Sequence, residues 1–64
     1  MKLTVKQARL VAGLTQSETA SRIGICTTAY ARLEQNPESF TMARAVKFCE
    51  AVARSLDEIN FFTP

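Results

Sequence analysis

The stretch QSETASRIGICTTAYARLEQ, from Gln16 to Gln35, decides the fold because it is typical of two helices joined by a short turn. Ala20 is small enough to let two helices approach closely where they cross at about 90–120°. Gly24 lies where the first of these helices should end, and glycine adopts a positive φ at little steric cost. Three apolar residues follow at positions that would seat the second helix on the core: Ile25, Tyr30 and Leu33. We therefore predict two helices and an intervening turn over residues 16–35.

Capping signals extend the helical prediction toward both ends of the chain. A capping box pairs Ser or Thr at a helix start with Glu or Gln three residues later. Three such pairs occur: Thr4 with Gln7, Thr15 with Glu18, and Ser55 with Glu58. Gly13 and Gly24 are predicted to close the first two helices. The third helix is predicted from about Thr27 to Gln35, because Pro37 disfavours helical geometry at Asn36.

The last third of the chain predicts two more helices, at about 42–53 and 56–62. Thr41 is the expected cap of the fourth helix, in which apolar residues recur at helical spacing: Met42, Ala45, Val46, Cys49, Val52 and Ala53. Met42 and Val46 are expected in the core, and the fifth helix would carry Leu56, Ile59 and Phe62. No period-two run predicts a strand. The expected fold is all-α, a compact bundle of four to five short helices in a single domain of residues 1–64.

Charge and hydropathy restrict the classes of partner. The 64 residues carry a net charge of +2, but Asp57 and Glu58 lie in the last ten, so residues 1–54 carry +4. That is a modest electrostatic footprint for nucleic acid. No apolar run approaches the ~18 residues of a membrane span, and the first residues lack the apolar segment of a signal peptide. We expect a soluble, cytoplasmic chain without a membrane partner.

The chain has few residues suited to metal binding or catalysis. Two cysteines, Cys26 and Cys49, are too few for a disulfide framework, and without histidine they cannot supply four zinc ligands. Both are expected to be reduced, with Cys49 buried as a small apolar residue. No metal, cofactor or small-molecule ligand is predicted. Because no glycine-rich phosphate loop or nucleophile–base pair is evident, the chain is not expected to be an enzyme.

Three segments together resemble the Cro and phage-repressor type of helix-turn-helix regulator: LTQSETASRIGI (14–25), YARLE (30–34) and SLDEI (55–59). The resemblance covers roughly Val5 to Phe62. It implies a lambda-repressor-like DNA-binding domain, whose second motif helix enters the major groove. It also implies a sequence-specific transcriptional regulator, in particular a repressor, that binds a pseudo-palindromic operator in double-stranded DNA as a homodimer.

The same resemblance implies a set of DNA-binding residues: Gln16, Cys26, Thr27, Thr28, Arg32 and Asn36. Gln16 matches a phosphate contact at a helix start, where exposed N–H groups favour an anion. Threonine can hydrogen-bond a base edge, and Arg32 could read guanine through two hydrogen bonds. Asn36 matches a loop whose backbone N–H groups meet phosphate. The alternatives are a merely solvated Gln16 and an Arg32 that lies along the surface without touching a base.

Further positions follow from, or depart from, the family pattern. Arg9 and Glu34 match a partly buried ion pair that ties the first helix to the third. Cys26 stands where relatives have Ser or Thr as helix cap, so Thr27 could take over that cap. Ala53 stands where the family favours glycine, so the turn after the fourth helix could be tighter or more nearly continuous.

The apolar tail gives a hypothesis for the dimer interface. On a helix, Phe62 would lie on the face of Ile59 and pack inward, whereas Phe61 would point about 100° away. Phe61 is therefore predicted to be exposed in a two-fold interface; the alternative is a tail that covers its own bundle. Two alternative functions also remain open, a protein-interaction module and an antitoxin-type component using the same fold. The low basic charge and the short threonine side chains slightly favour the protein-interaction module.

Overall fold

The computed structural model describes residues 2–64, which form four α-helices, two 3₁₀ turns and one pair of very short strands. In chain order these are β1 (Leu3–Thr4), α1 (Val5–Val11), α2 (Gln16–Ile23), α3 (Thr27–Gln35), a 3₁₀ turn (Pro37–Ser39), α4 (Met42–Val52), a second 3₁₀ turn (Leu56–Glu58) and β2 (Ile59–Asn60). The predicted small all-α helix-turn-helix fold is confirmed. No helix within residues 2–64 is long and apolar enough to cross a membrane.

Side chains at the helix starts determine where α1, α2 and α4 begin. The Thr4 hydroxyl accepts from the Gln7 N–H, and the Gln7 side chain accepts from the Thr4 N–H in return. Thr15 and Glu18 make the same reciprocal pair, at 3.0 and 2.9 Å. Thr41 caps α4 through its hydroxyl. These bonds satisfy N–H groups that have no partner inside a helix.

The turn between α2 and α3 depends on a glycine in the left-handed region. Gly24 has φ 89°, and the carbonyl of Ala20 accepts from the N–H groups of both Gly24 and Ile25, at 2.9 and 3.0 Å. This hydrogen-bonding pattern closes α2, and α3 begins after three intervening residues. Ala20 itself is buried, as a close helix crossing requires.

The core lies where the four helices and β2 meet. It contains Val5, Ala8, Leu14, Ala20, Ile23, Tyr30, Phe48, Cys49, Val52 and Ile59. Phe48 is fully buried, and its ring lies 6.3 Å from that of Tyr30, centroid to centroid. Cys49 is buried, as predicted, and burial raises the pKa of its thiol.

The inward face of α4 differs from the predicted one. Its buried residues are Ala45, Phe48, Cys49 and Val52, which follow the i, i+3, i+4, i+7 pattern. Met42 and Val46 lie outside this stripe and are 71% and 40% exposed, so their predicted place in the core is wrong. The sequence allowed two helical phases, and the large ring of Phe48 occupies the core in the observed one.

The predicted helix at 56–62 is also wrong, because it stops at Glu58. The following residues form β2, which pairs in parallel with β1, Leu3 opposite Ile59 and Thr4 opposite Asn60. The Asn60 side chain accepts from the Phe62 N–H at 2.8 Å and donates to Thr63 at 2.9 Å. Such local side-chain hydrogen bonds compete with helix formation.

An extended tail reverses the predicted orientations of the two terminal phenylalanines. The ring of Phe61 packs edge-on against Phe40 and Phe48, with centroids 5.2 and 6.4 Å apart. Phe62 is 76% exposed. The expectation of an exposed Phe61 and an inward Phe62 is therefore incorrect, since it assumed helical rather than extended geometry.

The end of α4 contains an unfavourable backbone conformation. Ala53 has φ 57° and ψ 43°, and within residues 2–64 it is the only residue other than glycine with a positive φ. Its N–H and that of Arg54 both donate to the Cys49 carbonyl. The chain thus forms a sharp left-handed stop, not a nearly continuous helix, and an L side chain occupies a position that favours glycine.

We expect Ala53→Gly to stabilise the fold. Relief of the left-handed strain is worth about 1–2 kcal/mol, and the greater flexibility of unfolded glycine offsets about 0.5–1 kcal/mol of it. The net gain should be roughly 0.5–1 kcal/mol, measured by urea unfolding. Ala51→Gly, in the right-handed last turn of α4, is the matched control and should lose about 1 kcal/mol. Equal losses in both variants would contradict the prediction.

Candidate nucleic-acid interface

The outward face of α3 presents four of the predicted DNA-binding residues. Cys26, Thr27 and Thr28 occupy the cap and first turn, Arg32 lies one turn later, and all four are exposed. The opposite face carries the buried residues Tyr30, Leu33 and Glu34. Because that face is fixed to the core, the orientation of the exposed face is fixed too.

The start of α3 lacks the side-chain cap found at the other helix starts. Cys26 occupies the cap position with extended geometry, φ −76° and ψ 159°, but its thiol accepts no hydrogen bond. The helix nevertheless begins at Thr27, so Thr27 does not take over as the cap. The N–H groups of the first turn therefore have no side-chain acceptor at Cys26, and they remain available to water or an anion.

A hydrogen-bonded network behind this face joins α1, α2 and α3 at Glu34. Nε of Arg9 donates to Oε2 of Glu34 at 2.5 Å, and Nη1 of Arg9 donates to the Leu14 carbonyl at 2.9 Å. The Tyr30 hydroxyl donates to the same Oε2 at 2.6 Å. Nε2 of Gln16 donates to Oε1 of Glu34 at 3.0 Å. The carboxylate thus uses both oxygens, and Arg9 and Glu34 form a buried ion pair.

The network keeps the buried carboxylate ionised. Burial alone would raise the pKa of Glu34, but hydrogen bonds from Arg9, Tyr30 and Gln16 outweigh it and lower that pKa. Burial, followed by the bond to Glu34, raises the pKa of Tyr30 far above its usual value, so the phenol remains a hydrogen-bond donor. A negative charge of this kind is tolerated in the interior because it is both paired and hydrogen-bonded.

Beside this network is a cleft of about 240 Å³, where α1, α2 and α3 come together. Its lining residues are Lys6, Gln16, Ala31, Glu34, Gln35 and Pro64. Gln16, the first residue of α2, is half-buried here, whereas Lys6 is exposed. Lys6 is not among the DNA-binding residues predicted from the sequence. A signal was available, since Lys6 lies three residues before Arg9, and residues at this spacing share one helix face.

Asn36 is the predicted residue that uses its backbone N–H and one hydrogen of its side-chain amide in hydrogen bonds within the chain. Its N–H donates to the Arg32 carbonyl at 2.9 Å, and its side-chain amide donates to Ser39 at 2.9 Å. Pro37, which follows it, supplies no N–H. The loop after α3 therefore does not offer the Asn36 N–H to a phosphate. No cluster of three or more potential metal-ligating side chains occurs in the described part of the chain.

The Arg9–Glu34 pair should show strong energetic coupling. Removing one partner leaves a buried charge uncompensated, which costs up to about 3–5 kcal/mol, whereas an exposed pair would give only about 0–1 kcal/mol. A double-mutant cycle with Arg9→Met and Glu34→Gln in urea unfolding measures the coupling. If the stability losses of the two single variants simply add up in the double variant, the two side chains are not coupled and the network is contradicted.

The pH dependence of stability provides a control. The folded-state pKa of Glu34 is lowered, so the ionised side chain stabilises the fold. This stabilisation is fully present above the unfolded pKa of about 4.3. This contribution is lost as the pH falls through the folded-state pKa. The stability difference between the wild type and Glu34→Gln should therefore shrink below roughly pH 4. A difference that stays constant from neutral to acid pH would show that Glu34 is not the group responsible.

The comparison with known families agrees with this geometry. The sequence profile of a family described as helix-turn-helix matches residues 5–59, from the start of α1 to the first residue of β2. No curated protein and no solved structure gave a match. The matched region contains the exposed face of α3 and the whole Glu34 network. The chain belongs to the helix-turn-helix family of the Cro and phage-repressor type, a family of DNA-binding regulatory domains.

Proposed function

We propose that this protein is a sequence-specific transcriptional repressor that binds a pseudo-palindromic operator in double-stranded DNA as a homodimer. The observation that carries the proposal is the exposed face of α3, which is held in a fixed orientation by the buried Glu34 on its opposite side. A helix presented in this way can enter the major groove and place a few side chains against base edges.

The exposed side chains at α3 are suited to different contacts with DNA. Thr27 and Thr28 can hydrogen-bond a base edge or place a methyl group against thymine. Arg32 forms no ion pair within residues 2–64, so its guanidinium is available for guanine. Cys26 lies immediately before α3, and its small side chain allows the backbone there to approach the DNA.

The basic charge available to DNA is limited. Arg9 is neutralised by Glu34 in the interior, and Arg54 lies 3.3 Å from Glu58 on the surface. With two of the eight basic residues engaged in this way, sequence-independent attraction to phosphate should be modest. Operator affinity then depends on base contacts and on two half-sites being bound together.

The apolar surface near the tail favours a second copy of the chain as the partner. Phe62, Met42 and Leu56 are exposed at 76%, 71% and 41% around an apolar groove of about 390 Å³. Phe61 and Phe40 also line this groove. In a two-fold contact the projecting Phe62 of each copy would enter the groove of the other. Phe61 then belongs to the wall of the interface and not to its projecting surface.

One observation favours the alternative of a protein-interaction module. Leu10 and Val11 on α1 are 56% and 61% exposed, and they border a second apolar groove of about 410 Å³. Exposed apolar patches of this kind mark contact surfaces. A module of this type would use α1 as its contact surface without binding DNA, and an antitoxin-type component could use the same surface. Binding to genomic DNA fragments as a function of salt concentration separates it from a regulator.

Arg32→Ala should relax the base preference at one operator position. The loss against the preferred base is expected to be about 1–3 kcal/mol, the value of a bidentate contact to guanine. Selection of bound sequences from random duplexes, with the wild type and the variant, measures it. Arg54→Ala is the control, because Arg54 lies after α4 and pairs with Glu58. Uniform weakening over all sequences would make Arg32 a phosphate contact instead.

Phe62→Ser should weaken self-association and operator binding while leaving the fold intact, because the side chain is largely exposed. Phe61→Ser should instead lower stability by about 1–3 kcal/mol, because a half-buried ring is removed. Sedimentation with and without operator, together with thermal unfolding, distinguishes the two variants. Leu10→Ser removes an exposed apolar side chain elsewhere and serves as control. A Phe62→Ser variant that keeps wild-type association would place the dimer contact on another surface.

A further inference from the structure

The cleft beside the Glu34 network is lined by one lysine and two side-chain amides. Lys6 is exposed on its rim and forms no ion pair within residues 2–64. The amides of Gln16 and Gln35 lie on the same cleft. Glu34 also lines it, but its charge is matched by Arg9 in the interior. The charge left for a bound group is therefore that of Lys6.

The orientation of the Gln16 amide is determined by chemistry. An ionised carboxylate has no hydrogen to donate, so the group that faces Oε1 of Glu34 must be the nitrogen of Gln16. This contact uses one of the two hydrogens on Nε2 and is the one hydrogen bond of this side chain among the described residues. The second hydrogen on Nε2 remains available for another acceptor. Glu34 thus holds a donor in place at the start of α2.

We propose that Lys6 and Gln16 bind one phosphate of the DNA backbone together, with Lys6 supplying the charge and Gln16 an oriented N–H. A phosphodiester has two free oxygens, which can accept from the two donors at once. Because neither contact reads a base, the cleft positions the duplex while the exposed face of α3 discriminates the sequence. This inference rests on the proposed DNA-binding function, and it adds Lys6, a residue on α1, to the interface.

The salt dependence of binding separates the two contributions. Lys6→Ala should reduce the slope of log affinity against log salt by about 1, because one fewer counterion is released. Gln16→Met removes a neutral donor and should weaken binding by about fivefold without a change of slope. Both effects should be equal on the selected operator and on an unrelated duplex of the same length, since phosphate contacts carry no sequence information.

The double variant tests whether one phosphate is shared. If Lys6 and Gln16 hold the same group, the loss of affinity in the double variant should be smaller than the product of the single losses, because each contact to the phosphate is already weakened when the other is removed. Lys47→Ala, an exposed lysine on α4 outside the cleft, provides the charge-matched reference and should change the slope less. An unchanged slope in Lys6→Ala, or strictly multiplicative losses, overturns the inference. A wild type that binds no duplex in a salt-dependent way overturns the proposed function itself.

Discussion

The buried carboxylate of Glu34 is the constraint on which the geometry of this protein depends. An ionised group in the interior must be paired and hydrogen-bonded, and the three donors that meet this need come from different helices. Arg9 lies on α1, Gln16 on α2 and Tyr30 on α3 itself. Satisfying one charge therefore fixes the mutual placement of three helices. A purely apolar contact would tolerate sliding and rotation, whereas directed hydrogen bonds do not.

This constraint also separates the interior of the motif from its exposed face. Glu34 and Tyr30 point inward from α3, so the residues half a turn away, including Thr28 and Arg32, must point outward. The same carboxylate neutralises Arg9, which lowers the charge that the surface offers to DNA. Specificity then has to come from a few well-placed side chains, because long-range attraction is weak.

Much of the fold could be predicted from the sequence because its signals are local. Thr4 and Thr15 cap their helices and Gly24 turns left-handed for reasons contained within a few residues. The phase of α4 could not be decided in this way, since two apolar stripes fit the helical period and only packing around Phe48 selects one. The tail depends on pairing between β1 and β2, which lie more than fifty residues apart. In the candidate site, the exposed face of α3 could be predicted from the sequence. The place of Lys6 could not, because only the folded chain brings it to the same cleft as Gln16.

The short parallel pairing of β1 and β2 gives the tail a position between the two proposed contact surfaces. Phe61 and Phe62 line the apolar groove, whereas Pro64, two residues further on, lines the cleft beside Gln16. A second copy seated on Phe62 would hold the same segment that borders the proposed phosphate site. Association and DNA binding would then share one structural element, the segment from Phe61 to Pro64, which the pairing of β2 with β1 holds against the body of the domain.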